Sequence, residues 1–125
     1  MQKTTPQHLL KAIQDNRQLH PDRVSILLGR LANIYLAAEK ISEAEPAARE
    51  AIEMEGRFSD GGATTRLYDY QSLLATILEK QGHFSEAMSW LEKAIEGFEK
   101  HGDSKDYLEI LRERRVYLKK NSWRG

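Results

Sequence analysis

The feature that most limits how this chain can fold is an internal duplication, which appears when the sequence is laid over itself at a shift of 43 residues. The matches lie at small and apolar positions and continue through a turn, which two unrelated amphipathic helices would not do in register. The chain is therefore expected to contain two copies of one helix pair. The best-matched segments are Ile41-Ser42-Glu43-Ala44 with Phe84-Ser85-Glu86-Ala87, Ala51-Ile52-Glu53 with Ala94-Ile95-Glu96, and Leu31-Ala32 with Leu74-Ala75.

Apolar residues recur at helical spacing over most of the 125 residues, and this pattern predicts six α-helices and no strand. The duplicated pairs account for four of the helices, and a helix at each end is out of phase with them. We expect a single domain over residues 1–125, which contains a half-repeat helix at 6–18, a first repeat at 23–56, a second repeat at 65–100, and a C-terminal half-repeat or capping helix at 104–121.

Polar residues, prolines and glycines mark the predicted helix ends. Thr5 is expected to cap the first helix, because a proline follows it at the first helical position. Ser42 and Ser85 are expected to cap the second helix of each repeat, Ser42 as part of a capping box. Gly56 and Gly82 are expected to end helices.

Two spaced motifs carry a family resemblance. The first copy reads Leu28-x2-Leu31-Ala32-x2-Tyr35, followed by Ala44-x3-Ala48-x2-Ala51. The second reads Gln71-x2-Leu74-Ala75-x2-Leu78, followed by Gly82-x-Phe84-x-Glu86-Ala87-x3-Leu91. Both resemble the tetratricopeptide repeat. The period of 43 residues is similar to that of the long-helix variety found in kinesin light chains and in bacterial peptide-sensing regulators.

The resemblance implies an all-α fold, a short right-handed superhelix of about six antiparallel helices. It also implies a protein–protein interaction module, a scaffold or adaptor that binds a partner peptide or helix in the concave groove lined by the first helix of each repeat. The residues of these helices that the core does not need are the predicted groove contacts: Arg30, Asn33, Asp69, Ser72, Thr76, Arg112, Arg115 and Lys119.

Two other interpretations remain open. The first helix keeps apolar residues at Leu9, Leu10 and Ile13, so a terminal helix with an exposed apolar face would make the chain a self-associating unit. The C-terminal helix is basic and contains aromatic residues, a combination that can bind RNA or phosphates. Its cations are Arg112, Arg114, Arg115, Lys119, Lys120 and Arg124, with Tyr117 and Trp123 among them.

Composition argues against several other functions. The 19 basic and 19 acidic residues balance, so net charge does not favour nucleic acid or membrane binding. Cysteine is absent, and the four histidines lack metal-site spacing, so we expect no metal, no cofactor and no catalytic residue. The N-terminal residues lack the apolar run of a signal peptide, and no segment has the length of apolar sequence that spans a membrane. A cytoplasmic protein is expected.

Overall fold

The structure, a computed structural model, describes residues 5–58, 65–101 and 105–121. Within these ranges the backbone forms six α-helices and one short 3-10 turn at Pro21–Arg23, and it forms no strand. The prediction of an all-α fold is therefore confirmed. The helices are α1 (Pro6–Leu19), α2 (Val24–Ala37), α3 (Ile41–Phe58), α4 (Thr65–Lys80), α5 (Phe84–His101) and α6 (Lys105–Asn121).

The chain divides into two compact units, Met1–Gly62 and Ala63–Gly125. In the first unit α1 packs on α2, and α2 packs on α3. In the second unit α4 packs on α5, and α5 packs on α6. Within each unit a helix therefore packs on its neighbour in sequence, which is the order of an all-α helical repeat. The grouping of both units into one domain stays a prediction.

Small side chains let the two helices of each repeat approach closely. Ala32 of α2 is fully buried, as is Ala44 of α3, and their counterparts Ala75 and Ala87 are buried in the second pair. Larger residues fill the space around these contacts, which gives each unit a continuous apolar core. The largest fully buried apolar side chains are Val24, Leu74, Ile77, Leu78, Leu91, Ile95 and Leu118.

The turn inside each helix pair has the same hydrogen bonds in both copies. The N–H of Glu39 donates to the carbonyl of Leu36 at 3.0 Å, and the N–H of Lys40 donates to that of Tyr35 at 2.8 Å. In the second copy, Gly82 donates to Glu79 at 2.9 Å and His83 donates to Leu78 at 2.9 Å. This is the Schellman pattern, which satisfies the last carbonyls of a helix through a residue with positive φ. The duplication therefore extends to the backbone of the turn.

Both predicted serine caps are wrong, because this turn leads directly into the next helix. The carbonyls of Lys40 and His83 accept from the N–H groups of Ala44 and Ala87, so α3 and α5 begin before Ser42 and Ser85. The Ser42 hydroxyl instead donates to a carboxylate oxygen of its neighbour Glu43 at 3.3 Å.

Three further predictions of helix ends have different outcomes. The Thr5 cap is confirmed, since its hydroxyl accepts from the N–H of His8 at 3.2 Å. The predicted stop at Gly56 is wrong, because α3 continues to Phe58, where Arg57 pairs with Glu53 one turn earlier. The predicted start of the last helix at residue 104 lies outside the described residues.

Replacement of Glu39 by glycine is expected to raise the free energy of unfolding by about 0.5–1 kcal/mol. Glu39 has a φ of 61°, a left-handed conformation that strains a residue with a Cβ, whereas the equivalent Gly82 adopts its φ of 83° without strain. Urea denaturation followed by circular dichroism measures the change, and Gly82→Glu is the reciprocal variant, expected to destabilise by a similar amount. A loss of stability in Glu39→Gly would contradict the argument.

One pair of buried positions differs in chemistry between the repeats. In the first unit, the hydroxyl of Ser25 on α2 donates to Oε1 of Glu55 on α3 at 2.7 Å, and both side chains are buried. The shift of 43 residues relates these positions to Tyr68 and Phe98, whose rings meet edge to face at 5.5 Å. The same place in the helix pair thus holds a hydrogen-bonded polar pair in one copy and an aromatic pair in the other.

Candidate functional site

In the second unit, side chains of α4 and α6 meet in two places. The hydroxyls of Ser72 and Tyr107 lie 3.0 Å apart, and Ser72 also donates to the carbonyl of Asp69 at 2.9 Å. Farther along both helices, one guanidinium nitrogen of Arg114 donates to both carboxylate oxygens of Glu79, at 2.7 and 2.9 Å. These contacts fix the side chains of α6 that adjoin α4.

An open groove of about 390 Å³ lies beside the second contact. It is called the α4–α6 groove, and its lining residues are Glu79, Ile110, Glu113, Arg114 and Tyr117. Ile110 is 58% exposed and Tyr117 is 51% exposed, so two large apolar side chains face water beside an ion pair. A groove with these side chains can take an apolar residue of another chain and hydrogen-bond the polar groups around it.

The predicted contacts on α4 differ in their exposure to solvent. Asp69 is exposed, yet nearby protein atoms exclude part of the water around its carboxyl, and this desolvation raises its pKa above the ordinary value. Thr76 is half-buried and donates its hydroxyl hydrogen to the carbonyl of Ser72 at 3.2 Å. Ser72 is itself buried, and its hydroxyl holds α4 to Tyr107.

The predicted contacts on α6 lie on the other side of that helix from the α4–α6 groove or along its edge. Arg112 donates to a carboxylate oxygen of Glu99 on α5 at 2.8 Å, so the structure places it beside α5 and not beside α4. Arg115 is half-buried, and Lys119 is exposed. None of the three lines the groove.

Ile110 and Tyr117 of α6 line the groove, yet neither is among the groove contacts predicted from the sequence. A signal was present: Ile110 and Tyr117 are seven residues apart, as are Leu111 and Leu118, and the two stripes lie about 100° apart around the helix. Only one stripe can face α5, and the leucines are the buried ones.

In the first unit, the other two predicted contacts lie on α2. Arg30 and Asn33 are both exposed, and the amide of Asn33 donates to the carbonyl of Gly29 at 3.0 Å. The shift of 43 residues relates Asn33 to Thr76, so both repeats have a polar side chain at this position, bonded to the preceding turn of its own helix. Their contact with a partner stays a prediction.

The residues predicted for self-association do not share one surface. Leu9 and Ile13 are buried, whereas Leu10 is 48% exposed. The side chains of Leu9 and Ile13 are therefore part of the unit's own core, and Leu10 is the member of this set that another chain can reach.

Comparison with known proteins agrees with the helix pair of the second unit. Residues 69–101 match a protein-family model described as a tetratricopeptide repeat. The chain carries a tetratricopeptide repeat. The match covers most of α4 and all of α5, and the shift of 43 residues relates it to residues 26–58 of the first unit. The resemblance to kinesin light chains stays a prediction. No curated protein matches the sequence.

Beside the tetratricopeptide repeat, the basic cluster of α6 is partly neutralised. Arg112 pairs with Glu99 on α5, and Arg114 pairs with Glu79 on α4. An arginine bound to a carboxylate of its own unit is less available to a phosphate. Trp123 and Arg124, which the RNA interpretation includes, lie outside the described residues.

A second open groove, of about 830 Å³, lies between the repeat and the other side of α6. It is called the α5–α6 groove, and most of its lining is charged: Glu99, Lys105, Leu108, Glu109, Arg112, Glu113 and Val116.

Among the described residues, no three histidine or acidic side chains lie close enough together to hold a metal ion. Of the helices in the described ranges, none combines the length and the apolar character needed to cross a membrane.

Proposed function

We propose that this protein is an adaptor that binds a peptide or helix of a partner protein in the α4–α6 groove. The family supports a protein–protein interaction module, and tetratricopeptide repeats are generally non-catalytic scaffolds. The observation that carries the proposed location is the exposure of Ile110 and Tyr117 in a groove where Arg114 and Glu79 hold each other in place. Fixed side chains bind at a lower cost in conformational entropy than mobile ones.

The chemistry of the groove indicates what the partner segment contains. An apolar side chain would remove Ile110 and Tyr117 from water, and aromatic residues of this kind often dominate the energy of an interface. Two residues of α4 outside the groove lining would add polar contacts. Asp69, whose carboxyl is partly desolvated, would gain from an N–H donor or a cation of the partner. The oxygen of Thr76 remains an acceptor, since its hydrogen is already donated.

The other predicted contacts extend this proposal within each repeat. Arg30 and Asn33 would contact a partner at the first repeat, where both are exposed. Arg115 and Lys119 would contact it at the edge of α6, whereas Arg112 would have to leave Glu99 first. A cytoplasmic adaptor is the cellular role that fits this proposal.

Replacement of Ile110 by arginine is expected to weaken binding of a partner peptide about tenfold or more, because a charged side chain enters the apolar part of the groove. Peptides that bind the wild-type protein can be selected from a phage-displayed library and their affinities measured by calorimetry. Val116→Arg is the matched control: Val116 is 55% exposed on the same helix but lines the α5–α6 groove instead. Equal binding to both variants, or loss in Val116→Arg alone, would refute the location.

A further inference from the structure

The exposed side of α6 carries a regular stripe of residues, and only some of them line the two grooves. Its five residues follow one another at intervals of four and three, the spacing that keeps side chains in line along a helix. All five are exposed, and the structure gives Asp106 and Lys120 no ion-pair partner within the described ranges. The outer stripe consists of Asp106, Ile110, Glu113, Tyr117 and Lys120.

The order of charges along the outer stripe makes it complementary to itself in one orientation. Along the stripe, Asp106 lies at the start of α6, Glu113 lies in the middle and Lys120 lies at the end. When two copies of the helix run antiparallel, Asp106 of each lies beside Lys120 of the other, and Ile110 of each lies near Tyr117 of the other. In a parallel pair, like charges would lie side by side at both ends.

We propose that the outer stripe of α6 binds the outer stripe of a second copy of this chain, antiparallel and about a two-fold axis near Glu113. The two-fold arrangement is isologous, so one patch supplies both halves of the contact. The two Glu113 side chains lie near the axis, where their like charges weaken the contact. The contact buries four large apolar side chains and makes two ion pairs at its ends.

The contact is small, so the association is weak and depends on salt. Its ion pairs are exposed at the rim, where ordinary salt concentrations screen them. The second copy covers Ile110 and Tyr117, which also line the α4–α6 groove. A partner peptide in the groove and a second copy on the stripe therefore exclude each other.

Charge exchange at Asp106 and Lys120 tests this proposal. In sedimentation experiments at high protein concentration and low salt, the wild-type chain is expected to form dimers. Asp106→Lys and Lys120→Asp are each expected to weaken dimerisation about tenfold, because each turns two attractions into two repulsions. An equimolar mixture of the two variants is expected to form a heterodimer with roughly wild-type affinity, because opposite charges again lie at both ends.

Three results would overturn the proposal: a monomeric wild-type chain under all these conditions, dimers that both single variants leave intact, or a mixture that stays monomeric. Glu92→Lys on α5 is the matched control, an exposed charge reversal away from the stripe, and it is expected to leave the dimer unchanged. Circular dichroism of each variant checks that α6 still folds. Asp106 and Lys120 do not line the α4–α6 groove, so peptide binding can fail or succeed independently of this result.

Discussion

Replacement of Gly97 by alanine is expected to lower the free energy of unfolding by about 2 kcal/mol, although alanine is the better helix former. Gly97 is buried in α5, and a Cβ at this position would overlap the ring of Tyr68 on α4. That ring cannot move aside freely. It meets Phe98 edge to face at 5.5 Å and stacks on His101 at 6.0 Å, and Phe98 in turn meets Tyr107 of α6 at 5.2 Å.

The sign of this effect is expected to reverse when the ring is removed. In a Tyr68→Ala background, Gly97→Ala meets no ring, so it should stabilise the protein by about 1 kcal/mol through helix propensity alone. Tyr68→Ala by itself is expected to destabilise by about 3–5 kcal/mol, the range for loss of a buried aromatic side chain. Denaturant unfolding of the four proteins in this cycle measures the coupling. Equal destabilisation by Gly97→Ala in both backgrounds would show that the ring contact is not the cause.

In the first repeat, the large and the small residue of this contact are exchanged between the two helices. The positions equivalent to Tyr68 and Gly97 are Ser25 and Met54. A small residue on the first helix there accompanies a large one on the second, whereas the second repeat has the large residue on the first helix and glycine on the second. Volume is conserved across the helix pair rather than at each position, which is how close-packed cores tolerate sequence divergence.

The helix pairs could be predicted from the sequence because their evidence is local and repeated. Alanines at matched positions, such as Ala32 and Ala75, indicated where the two helices approach, and both are buried. The helix starts after the turns could not be predicted in the same way. The Schellman turns at Glu39 and Gly82 are made by backbone groups, so the next helix begins before the serine that its side chain suggested as a cap.

The rotation of α6 about its axis was the main feature of the candidate site that the sequence left open. Charged residues surround the apolar ones, so the stripe of Ile110 and Tyr117 and the stripe of Leu111 and Leu118 looked equally suited to the core. Packing against α5 decides between them. With this rotation Arg114 lies beside α4 and Arg112 lies beside α5. The arginine that adjoins the α4–α6 groove is therefore Arg114 and not the predicted Arg112.

The burial of Glu55 was also not predicted, because its acidic neighbours in sequence are typical of a solvated helix face. Glu55 is only 3% exposed. The duplication contained the relevant signal, since it relates Glu55 to Phe98 and Ser25 to Tyr68, two residues of the aromatic core. A polar residue that aligns with a core position in a second copy is a candidate for a buried hydrogen bond.

Replacement of Ser25 by alanine is expected to lower the free energy of unfolding by about 1–3 kcal/mol, because a buried carboxylate oxygen of Glu55 then loses a hydrogen-bond donor that water cannot easily replace. The donor–acceptor distance of 2.7 Å and the burial of both side chains place the pair in this range. Thermal or urea unfolding followed by circular dichroism measures the loss.

Ser42 provides the matched control within the same unit. Its hydroxyl also donates to a glutamate, Glu43, but at 3.3 Å and on the exposed surface of α3, where water competes for both groups. Ser42→Ala is therefore expected to change the free energy of unfolding by no more than about 0.5 kcal/mol. The two variants remove the same hydroxyl from the same kind of pair, so their difference measures what burial adds. If they destabilise the protein equally, the Ser25–Glu55 bond does not stabilise the first repeat through its burial.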